Sequence, residues 1–167
     1  MNNGITFSMA GEMDKGWNVT VTQVLNDDDV ASDQVFDTRS LKIDLGDTGT
    51  LTFTGTGGSG VLSAIDDVTP TAGEESWDDV TGADSIPGGP SGGNMFHYSN
   101  GSLMDGLTVS ASYTPSDGAT EIESSVDYGV TFTGIDGLTV GLAAGEDNGE
   151  GSSAAVDHTN MYVTYTM

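Results

Sequence analysis

The chain has 167 residues, no Cys, and 26 Asp and Glu against 3 Lys and Arg, for a formal net charge of -23. That balance excludes nucleic-acid binding and a basic membrane-surface helix, both of which need clustered Lys and Arg, and the missing thiols exclude disulfides, Cys-ligated zinc and a Cys nucleophile. Gly is abundant at 25 residues, whereas Leu, Ile, Val and Phe make up only about a fifth of the chain, a level at which a water-soluble core becomes thin.

Apolar residues alternate with small polar ones along most of the chain, which predicts strands. The first sets are Ile5, Phe7 and Met9, then Trp17, Val19, Val21 and Leu25, with Gln23 breaking the rhythm. Leu41, Ile43 and Leu45 follow, then Leu51 and Phe53 between Thr50, Thr52 and Thr54. The second half supplies Leu107, Val109, Ala111 and Tyr113; Val126, Tyr128, Val130 and Phe132; Leu138, Val140 and Leu142; and Met161, Val163, Tyr165 and Met167. Only residues 61–68 suggest a short helix. This is an all-β chain of about nine strands.

Short connections with hairpin chemistry stand at Asp14-Lys15-Gly16, Gly46-Asp47-Thr48-Gly49 and Gly134-Ile135-Asp136-Gly137. They alternate with long polar connections at residues 26–37, 57–93, 114–123 and 145–157, and residues 100–106 form an intermediate link. The order is that of an up-and-down antiparallel sheet, without Greek-key crossovers. Asp105-Gly106-Leu107-Thr108-Val109 recurs one hairpin later as Asp136-Gly137-Leu138-Thr139-Val140. The lead-in Val130-Thr131-Phe132-Thr133 is echoed by Val163-Thr164-Tyr165-Thr166. The opening Met1-Asn2-Asn3-Gly4 has no signal-peptide character, so a mature chain or a fragment clipped at both ends is expected.

Enzyme motifs match only literally. Gly55-Thr56-Gly57-Gly58-Ser59-Gly60 fits the dinucleotide fingerprint but stands among hairpins rather than in a parallel βαβ unit. Gly89-Pro90-Ser91-Gly92-Gly93 fits a nucleophile elbow without the strand that should precede it. His97 and His158 are too scattered for a catalytic zinc site. No catalysis and no cofactor are expected. The clusters Asp27-Asp28-Asp29 with Asp33, and Glu146-Asp147 with Glu150, lack calcium-loop spacing and offer at most weak Ca²⁺ binding at an exposed rim.

No window approaches the roughly 18 apolar residues of a membrane-spanning helix, but a transmembrane β-barrel needs none. Residues 57–93 form an unusually long connection for a β-domain, a feature associated with function or disorder. The segment holds Asp66, Asp67, Glu74, Glu75, Asp78, Asp79 and Asp84 with no base, together with Trp77. The alternation alone also fits a soluble acidic extracellular β-domain, such as an adhesin or surface-layer module stabilised by Ca²⁺.

In their order, four stretches resemble the trimeric general diffusion porins of Gram-negative outer membranes. They are the hairpin Ser40 to Phe53, the long acidic connection with its short helix, Phe96-His97-Tyr98-Ser99-Asn100, and the strand Leu107 to Tyr113. The resemblance implies an up-and-down transmembrane β-barrel of about sixteen strands, of which this chain supplies about nine. It also implies a homotrimer in outer-membrane lipid and passive diffusion of ions and small hydrophilic solutes. Residues 57–93 would then be the inward-folding constriction loop. Two features depart from the family: its pore wall is rich in bases, whereas this chain has only Lys15, Arg39 and Lys42, and its C-terminal aromatic is replaced here by Met167.

On that reading Asp66, Asp67, Glu74, Glu75, Asp78 and Asp79 are the loop-side constriction residues. Lys42 is the facing cation, and Arg39, at the loop end of its strand, is a further candidate. The carboxylate excess makes a cation preference the expectation. Nine strands are not expected to close on themselves, because an open edge in lipid leaves backbone groups unpaired. The apolar set is expected on one side of a single sheet, with Thr20, Lys42, Thr52, Ser110, Thr131 and Thr139 on the other.

Overall fold

Alternation with a period of two is stable as a strand only when one face finds an environment unlike the other. The computed structural model describes residues 4–26, 36–66, 91–116, 124–147 and 155–166. In chain order the strands are β1 (Gly4–Glu12), β2 (Asn18–Asn26), β3 (Phe36–Asp44), β4 (Thr50–Thr56), β5 (Gly58–Ser59) and β6 (Ser91–Gly92). They continue with β7 (Met95–Met104), β8 (Leu107–Thr114), β9 (Ser125–Ile135), β10 (Leu138–Asp147) and β11 (Val156–Tyr165). Among the described residues a short α-helix, α1, spans Ser63–Asp66, inside the stretch where the sequence suggests one.

Nine strands form one antiparallel sheet in the order β1-β2-β3-β4-β7-β8-β9-β10-β11, and β5 pairs only with β6. Every neighbour in the large sheet is the next strand along the chain, once the β5–β6 excursion is set aside. The fold is therefore all-β, with the short turns at one end of the sheet and the four long connections leaving from the other. Among the described residues β1 and β11 are not paired with each other, so the nine strands form an open sheet.

Turn chemistry sets the registers. Gly106 and Gly137 take φ values of 72° and 74°, the left-handed conformation that each two-residue turn requires. The sequence repeat is also a structural one. The Gly106 carbonyl accepts the Thr133 N–H at 2.7 Å, and the Gly137 carbonyl accepts the Thr166 N–H at 2.8 Å. Each turn is thus tied to the end of the strand that neighbours its own hairpin. The link expected over residues 100–106 is shorter than the sequence suggests: β7 continues to Met104 through a register shift between Asn100 and Met104. The Asn100 carboxamide oxygen holds the irregularity by accepting the Ser102 N–H at 2.7 Å.

The registers sort the side chains. Directly paired residues share a face, and the pairings carry Phe7, Val21, Leu41 and Phe53 onto one side together with Phe96, Tyr113, Val130, Val140 and Val163. Thr20, Lys42, Thr52, Ser110, Thr131 and Thr139 stand on the other. On the apolar side Phe53 and Phe96 stack across β4 and β7 with ring centroids 5.0 Å apart.

Large apolar side chains lie uncovered on one face. Ile5, Phe7, Met9, Phe96, Tyr128, Val130, Leu142, Met161, Val163 and Tyr165 are all exposed on the apolar face, Met161 to 73%. The small core lies on the polar face instead, where Val61, Leu62 and Ile65 pack on Ala143 with Tyr162 beside them. Thr54, Ser112 and Asp127 are buried on that same face. Among the described residues no helix is long and apolar enough to cross a membrane, which says nothing about crossing by strands.

Candidate functional site

The polar face carries a continuous cross-strand row. The pairings link Ala10, Thr20, Lys42 and Thr52, and continue through His97, Ser112, Asp127, Gly145 and His158. Lys42 is exposed in this row between two threonines. Two strands away His97 Nδ1 and Ser112 Oγ are 2.9 Å apart. Asp127 then stands opposite Ser112, with 0% of its surface exposed.

Above this row lies the start of the long connection. After β4 the chain makes the short β5 strand, whose partner β6 brings the far end of the excursion back to β7. Between them the turn at residues 60–62 and helix α1 cross from β4 to rest on β10 and β11. That path passes over the polar face. The strands between β4 and β10 are β7, β8 and β9, a width of about 19 Å at about 4.8 Å per strand spacing.

Side chains small enough to leave room form the seat. Gly129 and Ala143 are paired across β9 and β10, with Gly141 and Gly145 on the same face. A Cβ on Gly129 would lie 2.8 Å from Val61 Cγ1, so only Gly admits the turn this close. The Tyr162 ring lies over Gly141 and closes one side. The Leu62 N–H donates to Asp127 Oδ2 at 2.9 Å, joining residues 65 positions apart in the chain.

The residues expected at a constriction fall in three places. Asp66 is the last residue of α1 and so belongs to the segment on the polar face. Asp67, Glu74, Glu75, Asp78 and Asp79 lie outside the described residues, as do Asp27-Asp28-Asp29, Asp33 and Glu150. Lys42 is on the polar face. Arg39 is on the other: with Val21, Gln23, Leu41, Phe53 and Gly55 it lines a recess of the apolar face, its side chain against Gly55. The structure therefore does not bring Arg39 and Lys42 together. A register shift between Arg39 and Ser40 accompanies this placement.

The described residues of the literal enzyme motifs fall on or beside β4, β5 and β6. Gly55 and Thr56 end β4, Gly58 and Ser59 form β5, and Ser91 sits opposite Ser59 in antiparallel pairing. Among the described residues no three His, Asp or Glu side chains are gathered to hold a metal ion.

Reading by periodicity missed Asp127. A signal was present, because Gly129, Gly141, Ala143 and Gly145 make a patch of small residues on the polar phase of two adjacent strands, as a surface does where another segment docks. Fold and site define an all-β protein built on one antiparallel meander, with its polar side partly covered by its own chain. No model of a known protein family matches the chain, and no curated protein sequence matches it.

Proposed function

We propose that the chain forms the wall of a passive diffusion channel in a Gram-negative outer membrane, as part of a larger porin-like barrel assembled as a homotrimer. The apolar face meets lipid, the polar face lines a water-filled passage for ions and small hydrophilic solutes, and residues 57–93 narrow it. No catalytic step is involved. One observation carries the reading: a single sheet exposes large apolar side chains on one face while a polar face is covered by a segment of the same chain. Soluble monomers rarely expose contiguous apolar patches larger than a few hundred Å². A soluble β-sandwich would bury that face under a second sheet, and among the described residues the only other sheet is the two-stranded β5–β6 ladder.

Lipid offers no hydrogen bonds, so the edges at β1 and β11 must be met by further strands in the membrane. The passage itself is expected to prefer cations. Residues 57–93 carry seven carboxylates, whereas the whole chain has 3 Lys and Arg, and pairs of charges at about 4 Å interact by about 1–4 kcal/mol depending on screening. Reversal potentials in a KCl gradient across a neutral bilayer test this. The expected result is cation preference that weakens when Glu74, Glu75, Asp78 and Asp79 are neutralised together, and strengthens in Lys42→Glu. Anion preference, or no response to the fourfold neutralisation, would sink the assignment. A detergent-free, Ca²⁺-stabilised monomer would instead favour the soluble domain.

A further inference from the structure

We propose that Asp127 is the positioning residue that holds the turn at residues 60–62, and with it α1, on the polar face. The inference deepens the channel reading, since the segment held is the one that would narrow the passage. Three observations converge on this side chain. Asp127 is completely buried, yet among the described residues its Oδ1 has no hydrogen-bond partner. A carboxylate placed this way is costly in itself. Its other oxygen accepts the backbone N–H of Leu62, which is itself completely buried at the centre of the small core. The floor under it on β9 and β10 is Gly129, Gly145 and Ala143, which offer the turn few side chains to key against.

Geometry assigns direction as well. Ser112, 2.9 Å from His97 Nδ1, stands opposite Asp127 and fills the β8 side of the seat. Gly145 opens the β10 side: a Cβ there would lie 2.6 Å from Asp127 Cβ, so glycine leaves the carboxylate the space it occupies. The acceptor therefore sits at one fixed point on the wall, and the buried Leu62 amide reaches it across 65 positions of the chain. What the segment requires of residue 127 is an oxygen acceptor at that point. Asn supplies one; Ala does not.

The chain has no Cys, so a single introduced thiol reports cover cleanly. Ala143 is 1% exposed beneath the turn. In the full chain carrying Ala143→Cys, a water-soluble maleimide should label slowly. Adding Asp127→Ala should speed labelling roughly tenfold or more, the order expected for leaving the buried Leu62 N–H without its acceptor. Asp127→Asn should keep labelling within about threefold of the parent. Circular dichroism confirms that the sheet is intact in each. If Asp127→Ala does not fold, amide exchange on the unaltered chain decides, and slow exchange at Leu62 is expected.

Labelling that ignores Asp127→Ala, an Asn variant as fast as the Ala variant, or rapid exchange at Leu62 would overturn the proposal. Labelling that follows Asp127 in a protein with no conductance would refute the channel while leaving the positioning role standing. Conductance together with indifferent labelling would do the reverse.

Discussion

Replacing Val130 by Arg, with Thr131→Arg as its neighbour control, separates a lipid-facing sheet from a water-facing one. Val130 is the sixth residue of the eleven in β9 and lies on the apolar face between Val109 and Leu142. Thr131 points the other way, paired with Thr108 and Gly141. At about 3.3 Å per residue β9 is about 36 Å long. Tilted by about 45° it spans about 25 Å of depth, the height of the apolar band of an outer-membrane barrel. Val130 then falls near the midplane, where an outward Arg costs about 2–4 kcal/mol.

Val130 is 40% exposed. If that face met water, the same substitution would cost within about 0.5 kcal/mol, like other surface changes. Urea unfolding of the protein in phospholipid vesicles, followed by Trp fluorescence, measures the difference. Val130→Arg is expected to lose at least about 2 kcal/mol more than Thr131→Arg. Equal losses, or a larger loss for Thr131→Arg, would refute the assignment of faces.

Two further expectations concern the turns and the β7 irregularity. Gly106→Ala should cost more than Gly46→Ala in denaturant midpoint. Both glycines have positive φ, worth about 1–2 kcal/mol for Ala, but a Cβ at Gly106 also meets the Gly134 backbone while one at Gly46 meets nothing; equal midpoints would contradict this. Asn100→Leu should lower the thermal midpoint through the loss of about 1–3 kcal/mol. Asn100 is 3% exposed, accepts the Ser102 N–H and donates to the Asp47 carbonyl at 3.3 Å, so an unchanged melting curve would show that these bonds do not fix β7.

The all-β class, the strand sequence and the alternation of short with long connections were legible in the residues alone. Each strand carries its own period of two, and turns such as Asp105-Gly106 and Asp136-Gly137 declare themselves locally. The partition of Val130 from Thr131, or of Leu41 from Lys42, likewise follows from phase once the strands pair in order. Bulges were not legible. The shift near Asn100 lengthened β7, and the shift beside Arg39 adjoins a side chain set against Gly55 on the apolar face, because both depend on how two strands meet rather than on either strand's own pattern. The seat of α1 was the least legible feature. Leu62 and Asp127 are 65 positions apart, and their hydrogen bond exists only because β7 and β8 intervene to set the width that the turn must cross. Periodicity records which side of its strand a residue takes; where a segment returns to that side is a long-range contact, decided when the whole sheet has formed.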